Sequence, residues 1–101
     1  MVDQRSYTFA ARLWVHPGQG GWHFLTVPVE ISADIAECTN AERGHFGSVR
    51  VAVTVGGSAW CTSLFPDAEA GGYLLPVKKS IRSAAQLEAG DMVAVKLELD
   101  T

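Results

Sequence analysis

Alternating apolar and polar residues predict extended strands along much of the chain. Valines occupy every second position from Val49 to Val55, with smaller or more polar residues between them. The same two-residue period recurs over residues 7–16 and 93–99. Because successive side chains of a strand point to opposite faces, this pattern indicates strands with one buried face. We therefore predict three half-buried strands, with Tyr7 to Val15 presenting their odd-numbered residues inward.

Three further strands are predicted where turn-forming residues interrupt extended segments. Pro17–Gly21 is dense in turn formers and indicates a hairpin, and Gly56-Gly57 favours a two-residue type I′ turn. Phe65–Gly72 is expected to be a loop. The three strands that these turns delimit are predicted over residues 22–27, 58–64 and 73–77.

Two short helices complete the pattern. Ser32 is placed to cap a helix that ends near Thr39-Asn40, with Ile35 facing inward. Apolar residues recur at helical spacing from Ile81 to Leu87. Six short strands and two brief helices suit a small closed or nearly closed barrel with helical caps, because closure hides the edges of valine-rich strands. The predicted fold is mainly β, a six-stranded barrel capped by two short α-helices.

The sequence contains an internal repeat. Residues 27–36 resemble residues 75–84, and each copy follows a step of two glycines and an aromatic residue. Each copy places a proline at the end of a strand, where the chain turns toward helix. The chain is therefore interpreted as two related halves fused together. The acidic Glu30 and Asp34 of the first copy become Lys78 and Arg82 in the second.

Composition limits the class of protein. The 101 residues, of which 48% are hydrophobic and 19% charged, suit one domain over residues 1–101. The net charge of −3 argues against a general nucleic-acid binder, which needs a basic surface. Cys38 and Cys61 match no redox or zinc spacing and are predicted to be reduced, buried thiols. Met1–Ser6 is polar, so we expect a soluble, cytoplasmic protein without a membrane partner.

Several short segments occur in an order and spacing that resemble the bacterial domain of unknown function family 1905. The segments are Gly47-Ser48-Val49-Arg50-Val51, Val55-Gly56-Gly57, Ser63-Leu64-Phe65-Pro66, Gly72-Tyr73-Leu74-Leu75-Pro76-Val77 and Ala89-Gly90-Asp91-Met92-Val93, together with Phe9 and Gly21-Trp22. The likeness extends from about Tyr7 to Leu99. It implies a double-split, pseudo-twofold β-barrel, a fold related to AbrB/MazE-type DNA-binding domains. It supplies no activity, substrate or catalytic residue.

A group of basic residues at the start of the second helix is a candidate anion site. Lys78, Lys79, Ser80 and Arg82 occupy the place where cations oppose the helix dipole, at a cost of about 0.3–1 kcal/mol each. Residues that lower local stability in this way often have a functional role. Backbone amides, the Ser80 hydroxyl and the three cations would receive a phosphate or carboxylate. The alternative is that these cations are solvated or pair with Asp67, Glu69 or the acidic first helix.

Large rings near the turns form a second candidate feature. They could line the mouth of a ligand pocket, although such rings more often pack in the core or across strands. The residues proposed for this rim are Trp60, Ser63, Phe65 and Tyr73.

Metal and catalytic sites receive little support. His16 and His23 flank the first turn and could face each other, but no third ligand is evident, and His45 sits on a separate loop. Neither a catalytic residue nor a cofactor is assigned.

The sequence favours a small noncatalytic binding module for an anionic small ligand or protein partner. A DNA-binding domain ranks second, because the implied fold supports it and the net charge opposes it. An uncharacterised small enzyme ranks third.

Overall fold

The computed structural model describes residues 6–18, 20–40 and 47–99. In these residues one antiparallel sheet of seven strands is accompanied by two helices. The predicted mainly β class is thus confirmed. The elements are β1 (Ser6–Arg12), β2 (Trp14–Val15), β3 (His23–Thr26), α1 (Val29–Asn40), β4 (Val49–Val55), β5 (Ser58–Asp67), β6 (Gly72–Pro76), α2 (Lys79–Ala85) and β7 (Met92–Leu99).

The sheet curls into a half-barrel with the strand order β1-β7-β4-β5-β6-β3-β2. Its two end strands, β1 and β2, are consecutive in sequence and are separated only by Leu13. The Leu13 amide donates to the Asp91 carbonyl at 2.9 Å, and the Leu13 carbonyl accepts from the Gly90 amide at 2.7 Å. These bonds tie Leu13 to the turn before β7, so the chain leaves β7 there and pairs next with β3.

This break explains why the sheet has seven strands where the sequence predicts six. The predicted first strand divides at Leu13 into β1 and β2. The two-residue period does not survive the break, since Leu13 is buried whereas Val15, predicted to face inward, is 44% exposed.

Strand β5 also extends beyond its predicted end. It pairs with β4 as far as Leu64 and with β6 from Phe65 onward. The predicted loop therefore begins only after Asp67, because Pro66 and Asp67 remain in register with β6. At the β4–β5 hairpin the predicted type I′ turn is wrong: Gly56 has a φ of 59°, whereas Gly57 has no positive φ. One positive φ at the first central residue is typical of a type II′ turn.

The core lies on the inner face of the curled sheet. Inward residues of β4 and β7, such as Val51, Val53 and Leu97, are almost fully buried, as predicted from their alternation. Burying each such side chain stabilises the fold by about 1.5–3 kcal/mol. The prediction of buried thiols is wrong, since Cys38 and Cys61 are both exposed. Cys61 lies opposite Ala52 in the ladder, on the face of the sheet away from the core.

The two halves of the chain repeat one hydrogen-bonding pattern. The Val27 amide donates to the Tyr73 carbonyl and the Val77 amide to the His23 carbonyl, both at 3.0 Å. Val27 and Val77 are 50 residues apart, and so are His23 and Tyr73. Helices α1 and α2 begin at residues 29 and 79, which are also 50 apart. The structural equivalence is therefore 50 residues, whereas the sequence repeat aligns residues 48 apart.

The difference between the 48-residue sequence repeat and the 50-residue structural equivalence changes the role of Ser32. The prediction that Ser32 caps the first helix is wrong, because α1 begins at Val29 and Ser32 lies in its first turn. The Ser32 amide bonds the Pro28 carbonyl at 2.8 Å. Its structural counterpart is Arg82, whose amide bonds the Lys78 carbonyl at 3.0 Å. In the part of the chain that the structure describes, neither helix is long and apolar enough to cross a membrane.

Candidate functional site

Most of the predicted site residues line one cleft, which we call the basic cleft. It has a volume of about 490 Å³ and lies between the first hairpin turn, β5 and the start of α2. The fold brings the cations of the second helix to the rings of β5 because α2 packs against β5. The side chains on which its chemistry depends are Trp22, His23, Trp60, Phe65, Lys78, Lys79 and Arg82.

The remaining predicted residues lie elsewhere. Ser80 is exposed and does not line the basic cleft. Ser63 is paired with the exposed Arg50 in the β4–β5 ladder, away from the cleft. Tyr73 is only 2% exposed and lines a different cleft beside α1. Of the proposed rim, Trp60 and Phe65 therefore meet the cations, and Ser63 and Tyr73 do not.

Arg82 anchors the start of α2. Its Nη1 donates to the Val77 carbonyl at 2.8 Å. In the other half Ser32 makes the equivalent bond, with its Oγ donating to the Val27 carbonyl at 3.3 Å. Arg82 thus provides a hydrogen-bond donor to the backbone carbonyl that precedes its helix. Its guanidinium still lines the basic cleft. One of the five guanidinium N–H groups is used in this bond, and four remain for a ligand.

Lys78 and Lys79 are exposed. Within residues 6–18, 20–40 and 47–99 the ion pair that forms is Lys96 with Glu98 at 4.0 Å, which does not involve the cleft. The alternative of pairing with Asp67, Glu69 or α1 is therefore not realised there. Helix α2 has seven residues, so its dipole contributes little, and the positive potential of the cleft comes mainly from these side chains.

The first hairpin turn supplies an exposed ring. Trp22 is 61% exposed, and its indole stacks on Phe24 with ring centroids 6.3 Å apart and planes inclined by 11°. Gly20 lies beneath the indole: a Cβ there would be 3.1 Å from Trp22 Nε1, and Gly20 has a φ of 93°. Glycine tolerates both constraints. The sequence signal for Trp22 was the glycine-glycine-aromatic step, although the site prediction omitted this residue.

His23 also lines the basic cleft. Its Nδ1 lies 2.7 Å from the Gly21 carbonyl. A carbonyl can only accept, so Nδ1 carries the hydrogen and donates, which leaves Nε2 as an acceptor in the neutral ring. The turn therefore offers the cleft both an aromatic surface and a hydrogen-bonding nitrogen.

His16 and His23, which could have faced each other across the first turn, lie apart. The His16 ring approaches Trp14 and Phe24, with centroids 6.3 and 6.5 Å apart, whereas His23 is paired with Val15 in the β2–β3 ladder. Strand alternation places the two imidazoles on opposite faces. His45 lies outside the described residues. Those residues contain no group of three His, Cys, Asp or Glu side chains that could hold a metal ion.

A second cleft of about 380 Å³ lies beside α1, at the place equivalent to the basic cleft. Ser32 stands where Arg82 stands in the other half, and Gly72 where Trp22 stands. The two glycine turns and the two helix starts build both clefts in the same way. This second cleft is lined by Ser32, Ala33, Ala36, Pro66, Asp67, Ala68, Gly71, Gly72 and Tyr73, with no cationic side chain among them.

Comparison with known proteins agrees with the resemblance drawn from the sequence. Residues 9–97 match the family described as "Domain of unknown function (DUF1905)". No curated protein matches the sequence.

Proposed function

The chain belongs to the DUF1905 family, whose description names no activity, and we propose that it is a small noncatalytic binding module for an anionic ligand or partner group. The ligand binds in the basic cleft, with its negative charge at Lys78 and Lys79. Arg82 provides further donors, and the rings of the cleft cover the rest of the ligand.

The observation that carries this proposal is the meeting of unpaired cations and exposed rings in one concavity. Lys78 and Lys79 have no carboxylate partner in the described part of the chain, and Trp22 and Phe65, which line the same cleft, are 61% and 47% exposed. A cleft of about 490 Å³ is within the range that small-molecule sites occupy. Such sites combine apolar walls with a few placed polar groups, as this one does.

The distribution of polar side chains favours binding over catalysis. Among the described residues, the basic cleft holds His23 and Thr62 but no carboxylate, and the second cleft holds Ser32 and Asp67 but no histidine. A nucleophile, a base and an orienting acid are therefore not gathered in either cleft. The Ser32 hydroxyl is in addition engaged by the Val27 carbonyl and the Tyr73 amide.

We also propose that the sheet is a double-split barrel made of two fused, twofold-related halves. The β3–β6 register supports this, because Leu25 faces Leu75 while Phe24–Pro76 and Thr26–Leu74 are equivalent pairs on either side. This is the fold that the sequence resemblance implies for AbrB/MazE-type DNA-binding domains, which keeps duplex DNA as a competing ligand to be tested.

Thermal melting tests the anion site. Relative to chloride at matched ionic strength, phosphate and sulfate should raise Tm by more than their general exclusion from protein surfaces accounts for, because a bound anion adds stability by mass action. At ten times Kd the gain is about 1.4 kcal/mol, or roughly 6–11 °C for a domain of this size. The double variant Lys78→Ala/Lys79→Ala should remove this excess.

The matched control is Arg50→Ala/Lys96→Ala. Like the lysine variant, it removes two positive charges, but from exposed positions outside the basic cleft. It should therefore keep the excess Tm shift. Equal shifts in all three proteins would refute the site. A gel-shift assay with duplex DNA decides the competing function: binding that weakens steeply with salt and disappears in the lysine variant would replace the small anion with DNA.

A further inference from the structure

We propose that the ligand of the basic cleft carries an aromatic ring beside its anionic group, and that Trp22 selects for this ring. The inference rests on the proposed anion-binding function and narrows it to ring-bearing anions, such as aryl phosphates, aryl carboxylates or nucleotides.

Trp22 is 61% exposed, so its indole is accessible to a ligand ring. Phe24 lies beside the indole in a near-parallel, laterally offset arrangement, with ring centroids 6.3 Å apart and planes inclined by 11°. Phe24 in turn contacts Trp14 at a centroid distance of 5.3 Å, and Trp14 Nε1 donates to Thr26 Oγ1 at 2.9 Å. Phe24 and Trp14 therefore form a row of packed rings next to Trp22. The exposed indole is therefore a supported platform rather than a loose side chain.

The turn that carries Trp22 is built around the indole. Gly20 and Gly21 adopt φ values of 93° and 60°, where other residues are strained. A side chain at Gly20 would also press on Trp22 Nε1. In the second cleft the position equivalent to Trp22 is occupied by Gly72, which has no side chain. A platform is thus present in the cationic cleft and missing from the cleft without cations.

The platform and the cations share one cavity, which sets the chemistry of the ligand. Trp22, Lys78 and Lys79 all line the basic cleft, and Phe65 provides a second exposed ring in it. Flat rings stack favourably on indole, and two ammonium groups attract a phosphate or carboxylate. A ligand that satisfies both features at once must carry an anionic group within a short reach of an aromatic ring.

Calorimetric titration with matched probes tests this inference. Phenyl phosphate and cyclohexyl phosphate have the same charge and similar size, but only the first has a flat ring. Wild-type protein should bind phenyl phosphate about 3- to 10-fold more tightly, the factor that an aromatic pair typically adds. Trp22→Leu should bring the ratio to about one, and Trp22→Phe should restore the preference.

The source of the ring is separated by two further probe pairs. Adenosine monophosphate against ribose 5-phosphate represents nucleotides, and benzoate against cyclohexanecarboxylate represents aryl carboxylates. A ring preference in any pair that is lost in Trp22→Leu supports the inference.

Two results would overturn it, and they are distinguishable. If wild-type protein binds inorganic phosphate but binds each ring-bearing probe no better than its saturated counterpart, the ring preference fails while the anion site stands. If no probe binds, and Lys78→Ala/Lys79→Ala behaves like wild type, the anion site fails as well.

Discussion

Replacing Gly72 by alanine should destabilise the protein strongly, because the new methyl group has no room. Gly72 begins β6 and faces Ser32 of α1. A Cβ at Gly72 would lie 2.3 Å from Ser32 Oγ and 2.5 Å from Ser32 Cβ, whereas ordinary contacts begin near 3.4 Å. The helix and the strand must therefore move apart by about 1 Å, or Ser32 must change its conformation.

Neither response is cheap. Ser32 is 2% exposed, and its Oγ donates to the Val27 carbonyl and accepts from the Tyr73 amide at 3.1 Å. Rotating the hydroxyl sacrifices two bonds worth about 0.5–1.5 kcal/mol each and still leaves the clash with Cβ. Overpacking without rotation typically costs about 1–3 kcal/mol. We expect Gly72→Ala to lower the free energy of unfolding by about 2–4 kcal/mol.

Urea unfolding followed by far-UV circular dichroism measures this loss. Gly57→Ala is the matched control: a Cβ at Gly57 meets no atom within 4 Å, and its φ is not positive, so the change should stay within about 0.5 kcal/mol. Ser32→Gly removes both atoms that the methyl group meets. The double variant Ser32→Gly/Gly72→Ala should therefore be more stable than the two single effects predict, by about 1 kcal/mol or more.

The packing argument would be refuted if Gly72→Ala were as stable as Gly57→Ala. It would also be refuted if the two substitutions at residues 32 and 72 were simply additive. In either case the contact between α1 and β6 would be looser than the distances require.

The remaining predictions concern the aromatic row and the thiols. Trp14→Phe should lower the free energy of unfolding by about 0.5–1.5 kcal/mol in urea, because it removes the Nε1 bond to Thr26, whereas Trp22→Phe should change it by less than about 0.5 kcal/mol. Equal losses in the two variants would contradict the assigned bond. Both Cys38 and Cys61 should react with an aromatic disulfide reagent in the folded protein, because both are exposed. Single Cys→Ser variants assign the two reactions, and a thiol that reacts only in denaturant would contradict its placement on the surface.

Strands whose period matches one buried face could be predicted from the sequence. Val49–Val55 and the strand ending at Leu99 have a repeat of two residues because the core covers only one side of them. The break at Leu13 could not be predicted, since the alternation of residue types continues through it. What divides that strand is a pair of bonds to Gly90 and Asp91, more than 70 residues away.

The repeat was visible in the sequence, but its register was not. Side-chain likeness aligns Ser32 with Ser80, whereas backbone pairing aligns Ser32 with Arg82. A two-residue difference of this kind changes which residues have equivalent roles. Hydrogen bonds between strands fix that correspondence, and they depend on pairing that residue types alone do not specify.

The candidate site was predictable in part. Lys78, Lys79 and Arg82 lie close together because they are neighbours in the chain, so the sequence could group them. Their meeting with Trp60 and Phe65 depends on α2 crossing β5, which is a tertiary contact. Trp22 joins them only through the pairing of β3 with β6.

The presence of two halves with equivalent hydrogen bonding in one polypeptide has an evolutionary consequence. In a symmetric homodimer every mutation arises twice, so a change that benefits one cleft is imposed on the other. Here Trp22 and Gly72 occupy corresponding places and are encoded separately, as are Arg82 and Ser32. Selection can therefore enlarge or charge one concavity while leaving its counterpart unchanged.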